Sequence, residues 1–222
     1  RRRHTRLQGD WSSDVCSSDL GSADESVLSP EWADSSTIYV QSDISGFWNP
    51  HEIKLDGSRS QLISETLEWG YPDWQTGFRH LQVTADGKIL SRHGEPHNEK
   101  MVLLDPVSKS IKEIESPFTA FLPTYSTNGN FGYFVAGGST SPRALIRVNL
   151  STGEIGIIRE VKVPIPSQYL PKPYPISLVG AQGRTVHAIV HPATNPDYSH
   201  SGPTRSEEHT SELQSPCNLV CR

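Results

Sequence analysis

Cysteine is scarce in this chain of 222 residues, and its placement is informative. The three cysteines, Cys16, Cys217 and Cys221, all lie within residues 1–20 or 205–222. Residues 21–204 contain none, which excludes a disulfide framework, a cysteine-based zinc site and thiol catalysis in that segment.

Long hydrophobic runs and an excess of positive charge are missing as well. No stretch approaches the roughly 18 apolar residues of a membrane span, and the formal net charge is −5. A mildly acidic chain gives no electrostatic reason to expect nucleic acid or an anionic membrane as a partner. The basic residues 1–4 lie in the N-terminal segment 1–20, which we predict to be artefact, so they do not indicate a nucleic-acid-binding or targeting tail. Compartment and oligomeric state stay open at this point, with the cytoplasm favoured.

The two ends of the chain are related to each other as DNA. Residues 205–215 back-translate to a sequence whose reverse complement encodes residues 10–20. One oligonucleotide, read on opposite strands, therefore accounts for both segments, and it resembles a short-read library adapter. Such tails are excluded before fold is considered. We predict that residues 1–20 and 205–222 are artefact without ordered structure.

Short runs of alternating or β-branched apolar residues fill most of the remaining segment. They are separated by Asp-Gly or Thr-Gly pairs, which is typical of β-strands joined by tight turns. No window keeps a helical period over three turns. The predicted strands include residues 37–40, 52–55, 78–83, 88–90, 101–104, 111–114, 131–135, 144–148 and 154–158.

A coarse internal repeat organises these strands. An apolar strand that ends in Asp or Asn, a turn of small residues and a second apolar strand recur at Asp56, Asp105 and Asn149. The spacing of roughly 45–50 residues suits the four-stranded blades of a propeller. We therefore predict a mainly β fold, with a partial β-propeller of about three four-stranded blades over residues 21–160.

The composition changes after Glu160. Five prolines follow within a short stretch, and proline lacks the amide donor that a strand ladder needs. We predict an interdomain linker over residues 161–175. Strand character returns over residues 176–190, across a turn at 180–183, so residues 176–204 are predicted to begin a second domain.

Two groups of residues carry a family resemblance. The first group is Ser29-Pro30-Glu31-Trp32, Ile38-Tyr39-Val40-Gln41-Ser42-Asp43 and Ser45-Gly46-Phe47-Trp48-Asn49, and the second is Gly183-Arg184-Thr185-Val186-His187-Ala188 and His191-Pro192-Ala193-Thr194-Asn195-Pro196-Asp197-Tyr198. The first group resembles a propeller blade of the prolyl oligopeptidase family, in its dipeptidyl and acylaminoacyl peptidase-like branch. The second group is similar to the first hairpin of that family's α/β-hydrolase domain, and the resemblance covers nearly all of residues 29–198.

The resemblance implies a serine peptidase whose propeller caps the hydrolase domain and admits small peptides. Its mechanism requires a Ser on a Gly-x-Ser-x-Gly elbow, a His that accepts the Ser proton, an Asp that orients the His, and an oxyanion hole. Residues 21–204 contain no such elbow, and Ser139 lacks the closing glycine and is predicted to lie in a blade turn.

We therefore assign no catalytic, cofactor-binding or metal-binding residue to this chain and expect it to be inactive by itself. Its substrate-binding residues stay unassigned. A peptide is the expected substrate of the parent enzyme. The alternative is a non-catalytic, TolB-like propeller that acts as a binding module.

Several histidines invite a functional interpretation that their context disfavours. Residues 200–204 resemble the family's oxyanion-region sequence, but the residues before them are polar and turn-like, so an exposed loop is favoured. His187 and His191 have the spacing of a helical zinc pair, yet strand geometry would separate them by about 13 Å. His93 and His97 are predicted to lie in a solvated blade loop. Asn149 begins a glycosylation sequence but is predicted to serve as a turn residue.

Aromatic and acidic residues provide the last candidates. The aromatic group is predicted to pack between blades rather than to line a groove. In aminopeptidases of the family, propeller acids bind the free ammonium group of the substrate, and nothing in the spacing selects one acid here. The aromatic residues are Trp32, Tyr39, Phe47, Trp48, Trp69 and Trp74, and the acids are Glu31, Glu52, Glu65 and Glu68.

Overall fold

The fold is built from short antiparallel strands. The structure, a computed structural model, describes residues 20–22, 24–73, 77–95 and 98–199. Within these ranges it contains fifteen β-strands, two short 3-10 helices and no α-helix, so the mainly β class is confirmed. The predicted artefact segments 1–20 and 205–222 lie outside the described residues, except for Leu20.

The first two sheets are four-stranded meanders, each with its strands in chain order. Such a meander is the unit of a propeller blade, and we call them blade 1 and blade 2. Blade 1 comprises β1 (Val27–Trp32), β2 (Thr37–Ser42), β3 (Asn49–Lys54) and β4 (Arg59–Gln61). Blade 2 comprises β5 (Leu81–Val83), β6 (Ile89–Glu95), β7 (Asn98–Leu104) and β8 (Ile111–Ile114).

The third sheet, blade 3, has five strands where four were predicted, because its first strand is broken in two. Two short strands both pair with β11, one at each end. Pro123 lies in the break, and its carbonyl accepts a hydrogen bond from the Arg79 amide of blade 2 at 2.6 Å. The strands are β9 (Ala120–Phe121), β10 (Ser126–Asn128), β11 (Phe131–Gly137), β12 (Ala144–Asn149) and β13 (Ile155–Glu160).

The first strands of the three blades lie next to one another. β1 packs against β5, and β5 packs against β10. The His80 amide, just before β5, donates to Ser29 Oγ of β1 at 2.9 Å, and Arg79 forms a parallel bridge with Thr124 of blade 3. First strands placed side by side in this way are expected around the axis of a propeller, so the partial propeller is confirmed.

The repeat noticed in the sequence corresponds to one turn in each blade. Asp56 Oδ1 accepts the Ser58 amide at 2.8 Å, and Asp105 Oδ1 accepts the Val107 amide at 2.9 Å. Asn149 Oδ1 accepts the Ser151 amide at 3.0 Å. Each turn joins the last two strands of its blade, and the side-chain oxygen satisfies an amide that the ladder leaves free.

Most of the hydrophobic core lies between the blades, and a smaller cluster of Ile38, Val40 and Ile53 lies within blade 1. One cluster joins blades 1 and 2, and a larger one joins blades 2 and 3. Stacked blades therefore cover one another's faces, as the sequence repeat predicted. The first cluster contains Tyr39, Leu62, Trp69, Leu81, Ile89, Val102 and Leu104, and the second includes Leu90, Met101, Phe121, Tyr125, Phe134, Ile146 and Val148.

The predicted aromatic core is confirmed for three side chains and wrong for one. Tyr39, Trp48 and Trp69 are buried, and Phe47 is half-buried. Trp32 is 57% exposed, because it ends β1 beyond a register shift that interrupts the pairing with β2. Trp74 lies outside the described residues.

A separate hairpin follows the proline-rich stretch. β14 (Tyr174–Val179) pairs with β15 (Thr185–Val190) over six residues, and β14 begins inside the predicted linker. Among the described residues no third strand joins this sheet, and most of its side chains are exposed. The described part of the chain also holds no helix with the length and apolar character of a membrane span.

Candidate functional site

A buried ion pair stands at the centre of blade 2. Arg92 of β6 and Glu99 of β7 are 1% and 3% exposed, and Arg92 Nη1 lies 2.9 Å from Glu99 Oε1. Two charged groups that are buried to this extent must be compensated by close partners. The pair itself supplies one contact, and neighbouring segments supply further contacts to Glu99 and to the face of the guanidinium. Arg92 Nε and Nη2 have no hydrogen-bond partner among the described residues.

The partners of this pair come from two other parts of the chain. Tyr71, in the segment between blades 1 and 2, donates its hydroxyl to Glu99 Oε1 at 2.8 Å. The Phe121 amide of blade 3 donates to Glu99 Oε2 at 2.7 Å. The guanidinium carbon of Arg92 lies 3.6 Å from the centre of the Tyr71 ring, a cation–π contact. We call Tyr71, Arg92 and Glu99 the inter-blade network, because together they bind blade 2 to both of its neighbours.

Two tyrosine hydroxyls near this network remain protonated at ordinary pH. Burial raises the pKa of Tyr71, and the negative charge of Glu99 raises it further, although Arg92 opposes the shift. Burial likewise raises the pKa of Tyr125, which is fully enclosed. The Tyr71 hydroxyl therefore acts as a hydrogen-bond donor to the Glu99 carboxylate and contributes no charge.

A cavity of about 560 Å³ opens beside the network, between blade 3 and the hairpin. Tyr71 and Glu99 line it from the propeller side. The loop after β11 lines another wall, and the hairpin and the prolines before it close a third. The volume falls in the range of small-molecule and peptide sites. Its apolar lining includes Phe121, Leu122, Val135, Pro173, Tyr174 and Ile189.

The polar residues that line this cavity differ in whether their side chains have partners within the protein. Glu99 is already neutralised by Arg92. The Arg143 side chain, exposed at the start of β12, has no hydrogen-bond or ion-pair partner among the described residues. Ser139, Ser141 and His191 also line the wall. Ser139 lies in the turn after β11, so the predicted turn placement is confirmed.

A second cluster of charged side chains, centred on His93, lies where blades 1 and 2 meet. His93 Nδ1 lies 2.9 Å from Glu65 Oε2, and His93 Nε2 lies 3.5 Å from Glu113 Oε1. The indole N–H of Trp69 donates to the same Glu65 oxygen at 2.9 Å. The prediction that His93 lies in a solvated loop is therefore wrong. It is 6% exposed within β6, a strand that is buried on both faces from Ile89 to Gly94. His97 lies outside the described residues.

His80 is a further buried titratable group that the sequence did not single out. It is fully buried just before β5, and its Nε2 lies 3.0 Å from Asp73 Oδ1. Burial lowers the pKa of His80, the Asp73 carboxylate partly offsets that effect, and the positive charge of Arg92 adds to the lowering. The imidazole is therefore neutral in the folded protein at ordinary pH.

The four propeller acids considered from sequence all have partners within the protein. Glu31 lies 3.6 Å from Arg79, and Glu52 lies 3.6 Å from Lys54. Glu65 accepts from Trp69, and Glu68 Oε2 accepts the Trp48 amide at 2.9 Å. None of the four lines the cavity beside blade 3. The acid that does so is Glu99, which spacing alone did not distinguish.

The strand pattern contained little signal for Glu99 and Arg92. Glu99 stands between Asn98 and Lys100, and Arg92 between Ser91 and His93, so polar neighbours hide the inward position of both. A charge at an inward position of a buried strand indicates a paired partner. The sequence could not show which partner, because Tyr71 and Phe121 come from other segments.

The remaining candidates, His187, His191 and Asn149, lie in or directly after strands of the hairpin and of blade 3. His187 lies in β15, and its Nδ1 is 3.1 Å from Ser177 Oγ across the hairpin. His191 follows the strand, and the described residues contain no cluster of three metal-binding side chains. Asn149 occupies a blade turn, as predicted. Residues 200–204 lie outside the described part of the chain.

Comparison with known proteins gives matches among solved structures only. No protein-family model matches the chain, and no curated protein matches it in sequence. A puromycin-hydrolyzing peptidase of Mycobacterium tuberculosis is 31% identical over 81% of this chain, with a TM-score of 0.75. A puromycin hydrolase is 26% identical over 79% of the chain, with a TM-score of 0.73.

More distant neighbours share the fold. Prolyl endopeptidases match over 74% of the chain at 15% identity, with a TM-score of 0.57. The chain spans 28% of the length of the Mycobacterium tuberculosis peptidase and 27% of the length of the puromycin hydrolase. The resemblance to peptidases of the prolyl oligopeptidase family, predicted from the sequence, is confirmed.

Proposed function

We propose that this chain, whose structural neighbours are peptidases of the prolyl oligopeptidase family, is the propeller-to-hydrolase segment of a serine peptidase. The observation that carries the proposal is the 31% identity over 81% of the chain to a peptidase with the same fold. Because the chain spans 28% of that neighbour, hydrolysis is assigned to the longer parent protein.

The division of the chain into domains follows from this proposal. Residues 21–160 form the propeller part, residues 161–175 connect it to the second domain, and residues 176–204 begin the α/β-hydrolase domain. An isolated two-stranded hairpin is only marginally stable in water. The exposed apolar side chains of β14 and β15, such as Leu178 and Val179, support a hairpin that belongs to a larger sheet.

The reaction we propose for the parent is acyl transfer to a serine. The serine hydroxyl attacks the peptide carbonyl while a histidine takes its proton, and the same histidine then protonates the leaving amine. Water hydrolyses the resulting ester by the reverse sequence. Residues 21–204 contain no Gly-x-Ser-x-Gly elbow for this serine, so their contribution is to shape and restrict the space in which the peptide lies.

The cavity beside blade 3 is where we expect the propeller to meet the substrate. It lies between the propeller and the hairpin, so a peptide held there would lie against the start of the catalytic domain. Apolar walls and a few polar groups are the usual composition of such a site.

A serine-reactive probe applied to two proteins tests the proposal. The gene that contains residues 21–204 without the terminal segments is expressed to its natural end and treated with a fluorophosphonate. We expect labelling of one serine in a Gly-x-Ser-x-Gly sequence downstream of residue 204, and its loss when that serine becomes alanine.

The 222-residue chain provides the matched comparison. It should not react with the probe, since we assign it no nucleophile. Labelling of any serine in it would contradict the proposed inactivity. A parent gene that ends without the elbow would contradict the peptidase assignment and favour the non-catalytic, TolB-like propeller.

A further inference from the structure

Two charged residues line the cavity between blade 3 and the hairpin, and only the acidic one is paired within the described part of the protein. Its acidic group, Glu99, is neutralised by Arg92 at 2.9 Å and is held by Tyr71 and the Phe121 amide. Arg143 has no such partner among the described residues. An acidic chain, with a net charge of −5, thus presents an unpaired cation to this cavity.

The loop that carries Arg143 is held in place by the backbone. The Gly138 amide donates to the Ser141 carbonyl at 3.0 Å, and the Thr119 amide donates to the Gly137 carbonyl at 3.0 Å. The Val161 amide donates to the Arg143 carbonyl at 2.8 Å, and Ser141 Oγ donates to the Pro117 carbonyl at 3.3 Å. Bonds on both sides of the loop therefore fix where the Arg143 side chain begins.

The apolar walls of the cavity are open to water. Leu122 is 41% exposed, Tyr174 is 50% exposed and Ile189 is 51% exposed, and all three line the cavity. A ligand with an apolar body would remove this surface from water, which is favourable. A carboxylate on that ligand would match the guanidinium of Arg143 with two parallel N–H···O bonds.

We propose that this cavity binds a peptide through a carboxylate, with Arg143 as the residue that selects it. The choice of a peptide rests on the proposed function, whereas the demand for a negative charge beside an apolar body comes from the cavity itself. The carboxylate can be the C-terminus of a short peptide or an acidic side chain, and the two sources present the same group to Arg143.

Binding to the 222-residue chain tests this without any catalysis. Three acetylated dipeptides are titrated by calorimetry: Ac-Leu-Phe with a free C-terminus, Ac-Leu-Phe amide and Ac-Leu-Glu amide. We expect the free acid to bind about threefold to fivefold more tightly than its own amide, because Arg143 is exposed and an exposed ion pair contributes only modestly to affinity. Tighter binding of the glutamate amide than of the phenylalanine amide would show that a side-chain carboxylate also serves.

Arg143→Gln should abolish the preference for the acid over its own amide. Arg143→Lys should retain part of the preference, since it keeps the charge and loses the planar fork. Arg159→Gln is the matched control, because Arg159 is an exposed arginine on β13 that does not line the cavity.

Three results would overturn the proposal: equal affinity for the acid and its amide, absence of binding by all three peptides, or equal effects of Arg143→Gln and Arg159→Gln. Each of these is independent of whether the parent labels with a fluorophosphonate. Failure here therefore leaves the peptidase assignment intact, and failure of that assignment leaves the carboxylate preference measurable.

Discussion

At the scale of single residues, the main feature of this protein is the compensation of charge inside a β-rich core. Arg92 and Glu99 are buried together, and removing one partner would leave the other uncompensated. Breaking a buried pair in this way costs about 3–5 kcal/mol. The inter-blade network is therefore expected to be essential to the stability of the chain, whatever it does for ligands.

A double-mutant cycle on this pair tests that expectation. Arg92→Met and Glu99→Gln should each lower the free energy of unfolding by about 3 kcal/mol in urea titrations. The double variant should lose less than the sum, with a coupling energy of about 1–3 kcal/mol. The exposed pair Glu52–Lys54, at 3.6 Å, is the control and should couple by less than about 1 kcal/mol. Strictly additive losses at Arg92 and Glu99 would contradict the network.

His80 makes the stability of the chain depend on pH. Its pKa in the folded protein is lowered by burial, an effect that Asp73 partly offsets and Arg92 reinforces, relative to an ordinary value of 6.5. The unfolded chain therefore binds a proton before the folded chain does as the pH falls through about 6.5. Stability should decline below that pH and level off once the folded imidazole is protonated as well.

Urea midpoints at pH 7.5 and at pH 5.5 measure this contribution. The decline between the two should be smaller in His80→Gln, whose side chain does not titrate, than in the unaltered chain. His187→Gln serves as the control, because His187 is exposed on the hairpin. The interpretation fails if His80→Gln and the unaltered chain lose stability in parallel.

At the scale of elements, each blade depends on its turns, and the β6–β7 hairpin has the most demanding backbone. Gly94 has a φ of +131°, and a Cβ placed there would lie 2.6 Å from the Asn98 carbonyl oxygen. Gly57, in the β3–β4 turn, has a φ of +85° with nothing within 4 Å of such an atom. The two glycines therefore separate backbone strain from steric overlap.

Alanine at these two positions should have unequal effects. Gly57→Ala is expected to cost about 1 kcal/mol through strain alone. Gly94→Ala should cost about 2 kcal/mol more, because overlap with the Asn98 carbonyl is added to the strain. Unfolding free energies from urea titration give the comparison, and similar losses for the two variants would show that the β6–β7 hairpin relaxes to accept the methyl group.

The sequence pattern predicted some strands of the blades correctly and missed others. Alternation and turn residues located most strands of the three blades, since a half-buried strand must alternate and a tight turn must supply its own acceptors. β1 was not predicted from alternation. The broken first strand of blade 3 was not predicted. Pro123 lies in the break and has no amide to donate to the ladder. Its carbonyl accepts the Arg79 amide, a contact between blades that the sequence alone does not show.

At the scale of the whole molecule, the exposed apolar surface is the outstanding feature. Ile157 and Ile158 on β13 are more than half exposed, as is Val179 on the hairpin. Surfaces of this kind are usually covered by another part of a protein. A chain that spans 28% of a solved neighbour accords with that, and the proposed parent would supply the missing cover.

The class of fold, the repeat of three blades and the resemblance to prolyl oligopeptidase-family peptidases could be predicted from the amino-acid sequence. They depend on local alternation, on turn chemistry and on short sequences, all of which can be recognised within one segment. Three features became visible in the folded chain alone: His93 is buried between Glu65 and Glu113, Glu99 is the acid at the cavity, and Arg143 has no side-chain partner among the described residues. Burial and charge compensation depend on side chains from several blades, which come together only when the blades stack.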